Sequence, residues 1–111
     1  MKTVFIINGD TMGRGDDMLG SALMGKMLIT LADLPEKPAV MVFYNSGVGL
    51  LCEGSSALPS LKCLEAEGVE LWACGTCLDY YELRSRMAVG RGSNMREIAG
   101  ALLTAEKVVT L

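Results

Sequence analysis

Cys74-Gly75-Thr76-Cys77 sets two thiols two residues apart, where a strand-like run, Val69 to Ala73, gives way to a helical one. Thiols at this spacing can close a disulfide, share a persulfide sulfur or supply half of a metal site, and a helix N-terminus favours the thiolate of a cysteine placed there. The chain contains no histidine. Its absence removes the Ser-His-Asp and Cys-His arrangements and the common histidine-containing metal sites, leaving sulfur, carboxylates, hydroxyls and backbone amides to do any chemistry. The pair by itself leaves open a sulfur-handling or redox site, a structural zinc site, thioredoxin-type oxidoreduction, and inert, partly buried thiols. Zinc is disfavoured because Cys52 and Cys63 form no second CxxC knuckle. A thioredoxin-like site would need a proline later in the chain, and the last one here is Pro59.

Other residues bear on the same chemistry. Gly13-Arg14-Gly15 precedes a helical run and resembles an anion-binding turn, with bare amides and a helix dipole facing a negative group. It matches neither a P-loop nor a dinucleotide fingerprint, and an ordinary tight turn is the plainer reading. Arg84, Arg86, Arg91 and Arg96 follow the CGTC run, where a guanidinium would stabilise a thiolate or attract an anionic substrate; a solvated helix face is the duller account. Cys52, in the segment after the second strand, is a candidate auxiliary thiol or a small buried hydrophobe. Cys63, beside Leu61 and Leu64, reads as packing.

The elements that must hold these residues are legible in the apolar pattern. Thr3 to Asn8 and Ala39 to Tyr44 are continuous apolar runs, as in strands covered on both faces, and Val69 to Ala73 is a third strand. The first is expected at the centre of the sheet. Asp16 or Asp17 caps a helix to about Ala32, with Leu19, Ala22, Leu23, Met27 and Leu31 at helical spacing. Ser55 or Ser56 caps a second helix, Ala57 to about Glu67, and a short helix follows CGTC. Gly90 to Ser93 reads as a connection, Asn94 with Glu97 as the capping box of a last helix, and Lys107 to Leu111 as a closing strand. Alternating strands and helices predict a three-layer α/β/α fold with a small, mostly parallel sheet of four to five strands. In such sheets the site lies beyond the carboxyl ends of the strands, where Gly13, Arg14 and Gly15, Ser46 and Gly47, and CGTC are expected to converge, with Arg84 alongside.

The 111 residues suit one domain over the whole chain. Neither the longest apolar runs nor the N-terminus has the length of a membrane span or signal peptide, so a cytoplasmic protein with reduced thiols is expected. A net charge of −3 argues against nucleic-acid binding, and no metal or cofactor is expected. Met12, Met18, Met24 and Met27 crowd the first loop and helix, where Met24, Leu28 and Ile29 extend the apolar surface beyond one stripe and predict a subunit contact.

Asn8 to Asp17, Asn45-Ser46-Gly47-Val48 with Cys52-Glu53-Gly54, Cys74 to Tyr81, and Asn94-Met95 together resemble the DsrE-like sulfurtransferase superfamily. The closest likeness is to the DsrE-like domain of YedF-type proteins of sulfur and selenium metabolism, and it covers essentially the whole chain. The resemblance implies a compact parallel α/β domain, trimers or hexamers, and a cysteine that carries sulfur as a persulfide between protein partners. It places that cysteine at Cys74, with Cys77 assisting. It also implies that a TusA-like sulfur-carrier partner would be a separate chain. The rival is a non-catalytic module that binds a small anion or serves assembly, with structural cysteines.

Overall fold

The computed structural model describes residues 2–111. Five strands, β1 (Thr3–Ile7), β2 (Val40–Phe43), β3 (Glu70–Cys74), β4 (Arg91–Ser93) and β5 (Lys107–Thr110), form one sheet in the order β4-β3-β2-β1-β5. Every pairing is parallel, with Ile7 opposite Phe43 and Phe43 opposite Ala73. Helices α1 (Asp17–Asp33), α2 (Leu58–Ala66) and α3 (Gly75–Tyr80) pack on one face, and α4 (Met95–Thr104) packs on the other. The expected three-layer α/β/α fold is therefore present.

Strand periodicity divides the core in two. Met41, Phe43, Leu71 and Ala73 point toward α1 and α2, whereas Val40, Val42, Trp72 and Cys74 point toward Ile98 and Ala101 of α4. The middle strand is β2, not β1; β1 lies between β2 and β5. Unbroken apolarity marks any strand that is paired on both sides and covered on both faces, and does not rank such strands. The segment expected as a connection contains β4, a three-residue edge strand. Gly90 leads into it at φ +74, where a Cβ would lie 2.6 Å from the Leu71 carbonyl oxygen, so only glycine passes there.

Helix α1 is turned relative to its expected stripe. Gly20, Met24, Leu28 and Leu31 are buried, while Leu19, Ala22 and Leu23 are exposed along with Met18 and Ile29. Gly20 sets this rotation: a Cβ there would lie 2.8 Å from Thr11 Cβ, so the helix rests its glycine on the loop after β1. At α2 the expected serine cap is displaced. Ala57 holds the cap position without a side-chain bond, and Ser55 Oγ accepts the Ala57 N–H at 3.1 Å instead. Cys63 on α2 is exposed, contrary to the packing expected of it. At α4, Asn94 Oδ1 accepts the Glu97 N–H at 2.9 Å, as the capping box predicts. Among the described residues, no helix is long and apolar enough to cross a membrane.

Candidate functional site

Strand β3 ends at Cys74 and α3 begins at Gly75, so the CGTC run forms the turn at the carboxyl edge of the sheet. Alternation sends the Cys74 side chain to the α4 face with Trp72, where it is 2 % exposed. One helical turn later, Cys77 is half-buried and packs against both cores. Cys77 lines a cavity of about 370 Å³ shared with Asn45, Thr76, Tyr80 and Tyr81. This reverses the expected order of exposure, in which Cys74 faced the cleft. The short β3-to-α3 turn tucks the first thiol under α4 and brings the second round to the open side.

The Cys77 sulfur accepts the Asn45 N–H at 3.0 Å. Asn45 follows β2 with a left-handed φ of 53°, and its Oδ1 accepts both the Ser46 N–H at 2.8 Å and the Tyr81 hydroxyl at 3.1 Å. Burial pushes the Cys77 thiol above its ordinary pKa; the Asn45 N–H pulls the other way, and the neighbouring Cys74 thiol adds to the rise. The expectation that a helix N-terminus would favour a thiolate here does not hold for Cys77. Helix α3 is only six residues long, and desolvation outweighs the Asn45 N–H.

The residues expected to bind an anionic substrate do not gather at this cavity. Gly13, Arg14 and Gly15 lie in the exposed loop before α1, where the nearby cavity is lined by Asp10, Thr11, Asp17, Met18 and Ser21. Asp16 Oδ1 already accepts the Leu19 N–H at 2.8 Å, so the N-terminus of α1 has its own carboxylate where a foreign anion would sit. Ser46 Oγ accepts the Asp10 N–H at 3.1 Å and donates to Asp10 Oδ1 at 3.2 Å, tying the first two loops together. Gly47 packs beneath Ile7: a Cβ would lie 2.4 Å from the Ile7 carbonyl oxygen. Arg84 is bound by Asp79, whose carboxyl it holds below the usual range, and its Nη2 reaches the Gly75 carbonyl at 3.4 Å. Cys52 is buried with its thiol donating to the Val48 carbonyl at 3.4 Å, and desolvation raises its pKa. It does not line the Cys77 cavity.

Asn45, Thr76, Tyr80 and Tyr81 received no role from sequence reasoning. The one available signal was an Asn-Ser-Gly turn after a strand, since asparagine tolerates positive φ better than most residues. Among the described residues, no three or more histidine, cysteine or carboxylate side chains gather as metal ligands.

No protein-family model and no curated protein matches the chain. Solved structures do. The crystal structure of the YchN protein from E. coli superposes with a TM-score of 0.76 at 21% identity, covering 99% of this chain and 98% of that one. The structure of MTH1491, a protein of unknown function from Methanobacterium thermoautotrophicum, superposes with a TM-score of 0.66 at 21% identity, covering 96% of this chain and 97% of that one. Both have the DsrE-like fold, and the likeness extends that fold to this chain.

Proposed function

We propose that this chain is a sulfur carrier whose Cys74 and Cys77 thiols receive a sulfane sulfur as a persulfide and pass it to a partner thiol. The observation that carries the reading is Cys77: the residue lines a cavity, its sulfur receives a backbone N–H, and a second thiol stands beside it. The Cys77 thiolate attacks the outer sulfur of a donor R–S–SH. The Cys77 Sγ–S bond forms as the donor's S–S bond breaks, and the thiol R–SH leaves with the proton. An acceptor thiolate then takes the terminal sulfur by the same kind of displacement.

The resemblance assigned the accepting role to Cys74. The burial of Cys74 favours Cys77 as the sulfur a donor meets first, with Cys74 as the second thiol. Attack by the Cys74 thiolate on the Cys77 sulfur bearing the persulfide closes a Cys74–Cys77 disulfide and expels hydrosulfide, which diverts the sulfur from transfer. The anion-binding rival loses support from the carboxylates around the Gly-rich loop.

The proposal extends to a YedF-type placement, supported by the run Cys74 to Tyr81, to a TusA-like chain as acceptor, and to the cytoplasm, a compartment that keeps thiols free. A homo-oligomer, trimer or hexamer, would cover the exposed Met18, Leu19, Leu23 and Ile29 of α1. The test is intact-protein mass spectrometry after exposure to an alkyl persulfide. A gain of one sulfur that disappears in Cys77→Ser is expected; no gain in either the wild type or Cys74→Ser, or a gain that survives loss of both thiols, refutes the carrier.

A further inference from the structure

Resting on the carrier reading, we propose that Asn45 and Tyr81 are positioning residues for the Cys77 sulfur. The Asn45 main-chain N–H holds the charged sulfur, and the Tyr81 hydroxyl keeps Asn45 in the backbone conformation that aims it.

Three observations converge on this device. Asn45 adopts φ 53°, a region unfavourable to residues with a side chain and most often tolerated by asparagine. In that conformation its N–H lies 3.0 Å from Cys77 Sγ. The carboxamide oxygen of the same residue is fully committed, since Oδ1 accepts the Ser46 N–H and the Tyr81 hydroxyl and so uses both of its acceptor positions.

Two bonds thus run in opposite senses between the loop after β2 and α3, one from Asn45 to the sulfur and one from Tyr81 back to Asn45. Tyr81 is itself set by its N–H to the Cys77 carbonyl at 3.1 Å and by the edge-to-face ring of Tyr80, 5.2 Å away. A device of this kind matters because the sulfur has no other favourable partner. Cys74 faces Cys77 from β3, Thr76 and Tyr80 from α3, Tyr81 from its C-terminal cap, and Asn45 from the loop after β2; among the described residues no lysine, arginine or carboxylate lines the cavity. Arg84 is engaged with Asp79, and Arg86 stands 3.9 Å from Glu53. Of the influences on the Cys77 thiol, the Asn45 N–H is the one that favours its charged form. Nucleophilic attack and the persulfide anion both place negative charge on this sulfur group, so the same amide serves the thiolate and its sulfur-loaded product.

The experiment reads Cys77 in two ways: the pH midpoint of its alkylation, followed on its own peptide, and its loading from benzyl persulfide at neutral pH. Asn45→Ala disfavours the left-handed backbone and is expected to raise the midpoint by about one pH unit and slow loading about tenfold, the weight of a hydrogen bond to an ionised group. Asn45→Gly keeps the backbone conformation accessible but loses the tie to Tyr81; it and Tyr81→Phe are each expected to slow loading about threefold, with the double variant no slower than either.

If Asn45→Gly falls as far as Asn45→Ala, the side chain and not the aimed amide matters, and the proposal is overturned. It is overturned equally if neither midpoint nor rate moves in any variant. Should Asn45→Ala fail to fold, Asn45→Gly, Tyr81→Phe and their double variant carry the test, and strictly multiplicative effects in the double overturn it. Midpoints that shift as expected in a protein that never loads sulfur support the device while sinking the carrier reading.

Discussion

Gly47→Ala tests the coupling between fold and site at its tightest point. Gly47 is buried two residues beyond Asn45, and a Cβ there would stand 2.4 Å from the Ile7 carbonyl oxygen, 3.2 Å from the Ile7 carbonyl carbon and 3.3 Å from the Gly9 nitrogen. None of these atoms belongs to a flexible side chain. Ile7 is fully buried, and its oxygen already accepts the Tyr44 N–H at 3.1 Å, so it cannot retreat without opening the junction of β1 and β2.

The loop must therefore rise by close to an ångström, and overpacking of this kind costs about 1–3 kcal/mol. For a chain of 111 residues, that is a fall in melting temperature of about 4–12 °C. Because the displaced loop carries Asn45 to the Cys77 sulfur, alkylation of Cys77 should also slow at temperatures well below the melt. Gly100→Ala is the control: it lies inside α4, where its Cβ would meet nothing within 4 Å beyond the backbone of its own helix among the described residues, and should gain about 0.5–1 kcal/mol. Thermal denaturation alongside timed alkylation with peptide mapping gives both readings. A Gly47→Ala melt within a degree of the wild type would refute the steric argument, and a lowered melt with unchanged Cys77 reactivity would refute the coupling.

The thiol roles separate by substitution: Cys77→Ser should abolish persulfide loading, whereas Cys74→Ser should load normally and release no hydrosulfide, and the opposite pattern in mass spectrometry and sulfide assays returns the accepting role to Cys74. Burial raises the Cys77 pKa, so its thiolate fraction and its alkylation rate should still be climbing at pH values where an ordinary cysteine, near about 8.5, has begun to level off; a plateau at or below that pH contradicts the desolvation argument. Light scattering should report a species larger than a monomer, and Leu23→Glu with Ile29→Glu should dissociate it without a large change in the monomer's fold; a wild-type monomer across a wide concentration range removes the contact.

Residue spacing made the strands and the chemistry legible for one reason. β1, β2 and β3 are each covered on both faces and therefore carry uninterrupted apolar runs, and the CGTC turn has to follow the third. β4 escaped because Arg91, Gly92 and Ser93 have no apolar period; the strand is held at the edge by pairing with Trp72, Ala73 and Cys74 and by Arg91 lying 4.9 Å over the Trp72 ring. The rotation of α1 escaped because apolar residues surround most of that helix, and the close approach of Gly20 to Thr11 and Met12, which fixes the face turned inward, leaves no mark in the apolar spacing. Of the residues expected around the thiols, Ser46 and Gly47 lie in the loop that meets Cys77 and Arg84 reaches the Gly75 carbonyl inside CGTC, whereas Gly13, Arg14 and Gly15 stay in the exposed loop before α1, and local partners keep all six out of the Cys77 cavity. Asp16, Asp10 and Asp79 supply partners from within a few residues or from the adjoining loop, and sequence spacing alone does not reveal which polar groups are already taken.

The placement of CGTC between the two cores has a consequence for how its thiols are controlled. Cys74 belongs to the layer under α4, while Cys77 reaches the layer under α1 and α2 and meets the loop after β2. The start of α4 is held against β4 by Glu97, which accepts from Arg91 at 2.8 and 2.9 Å and from Ser93, and these bonds lower its pKa to about 2. A carboxylate so lowered stays charged throughout the range in which thiols titrate, and it loosens only as the pH falls below the ordinary carboxylate value towards 2. The cover over Cys74 is thus indifferent to the conditions that govern thiol chemistry, whereas the hydrogen bond to Cys77 strengthens as its sulfur becomes charged. In the proposed carrier, control of the sulfur at this turn would fall on the loop after β2, with Cys74 kept behind a cover that does not respond to thiol ionisation.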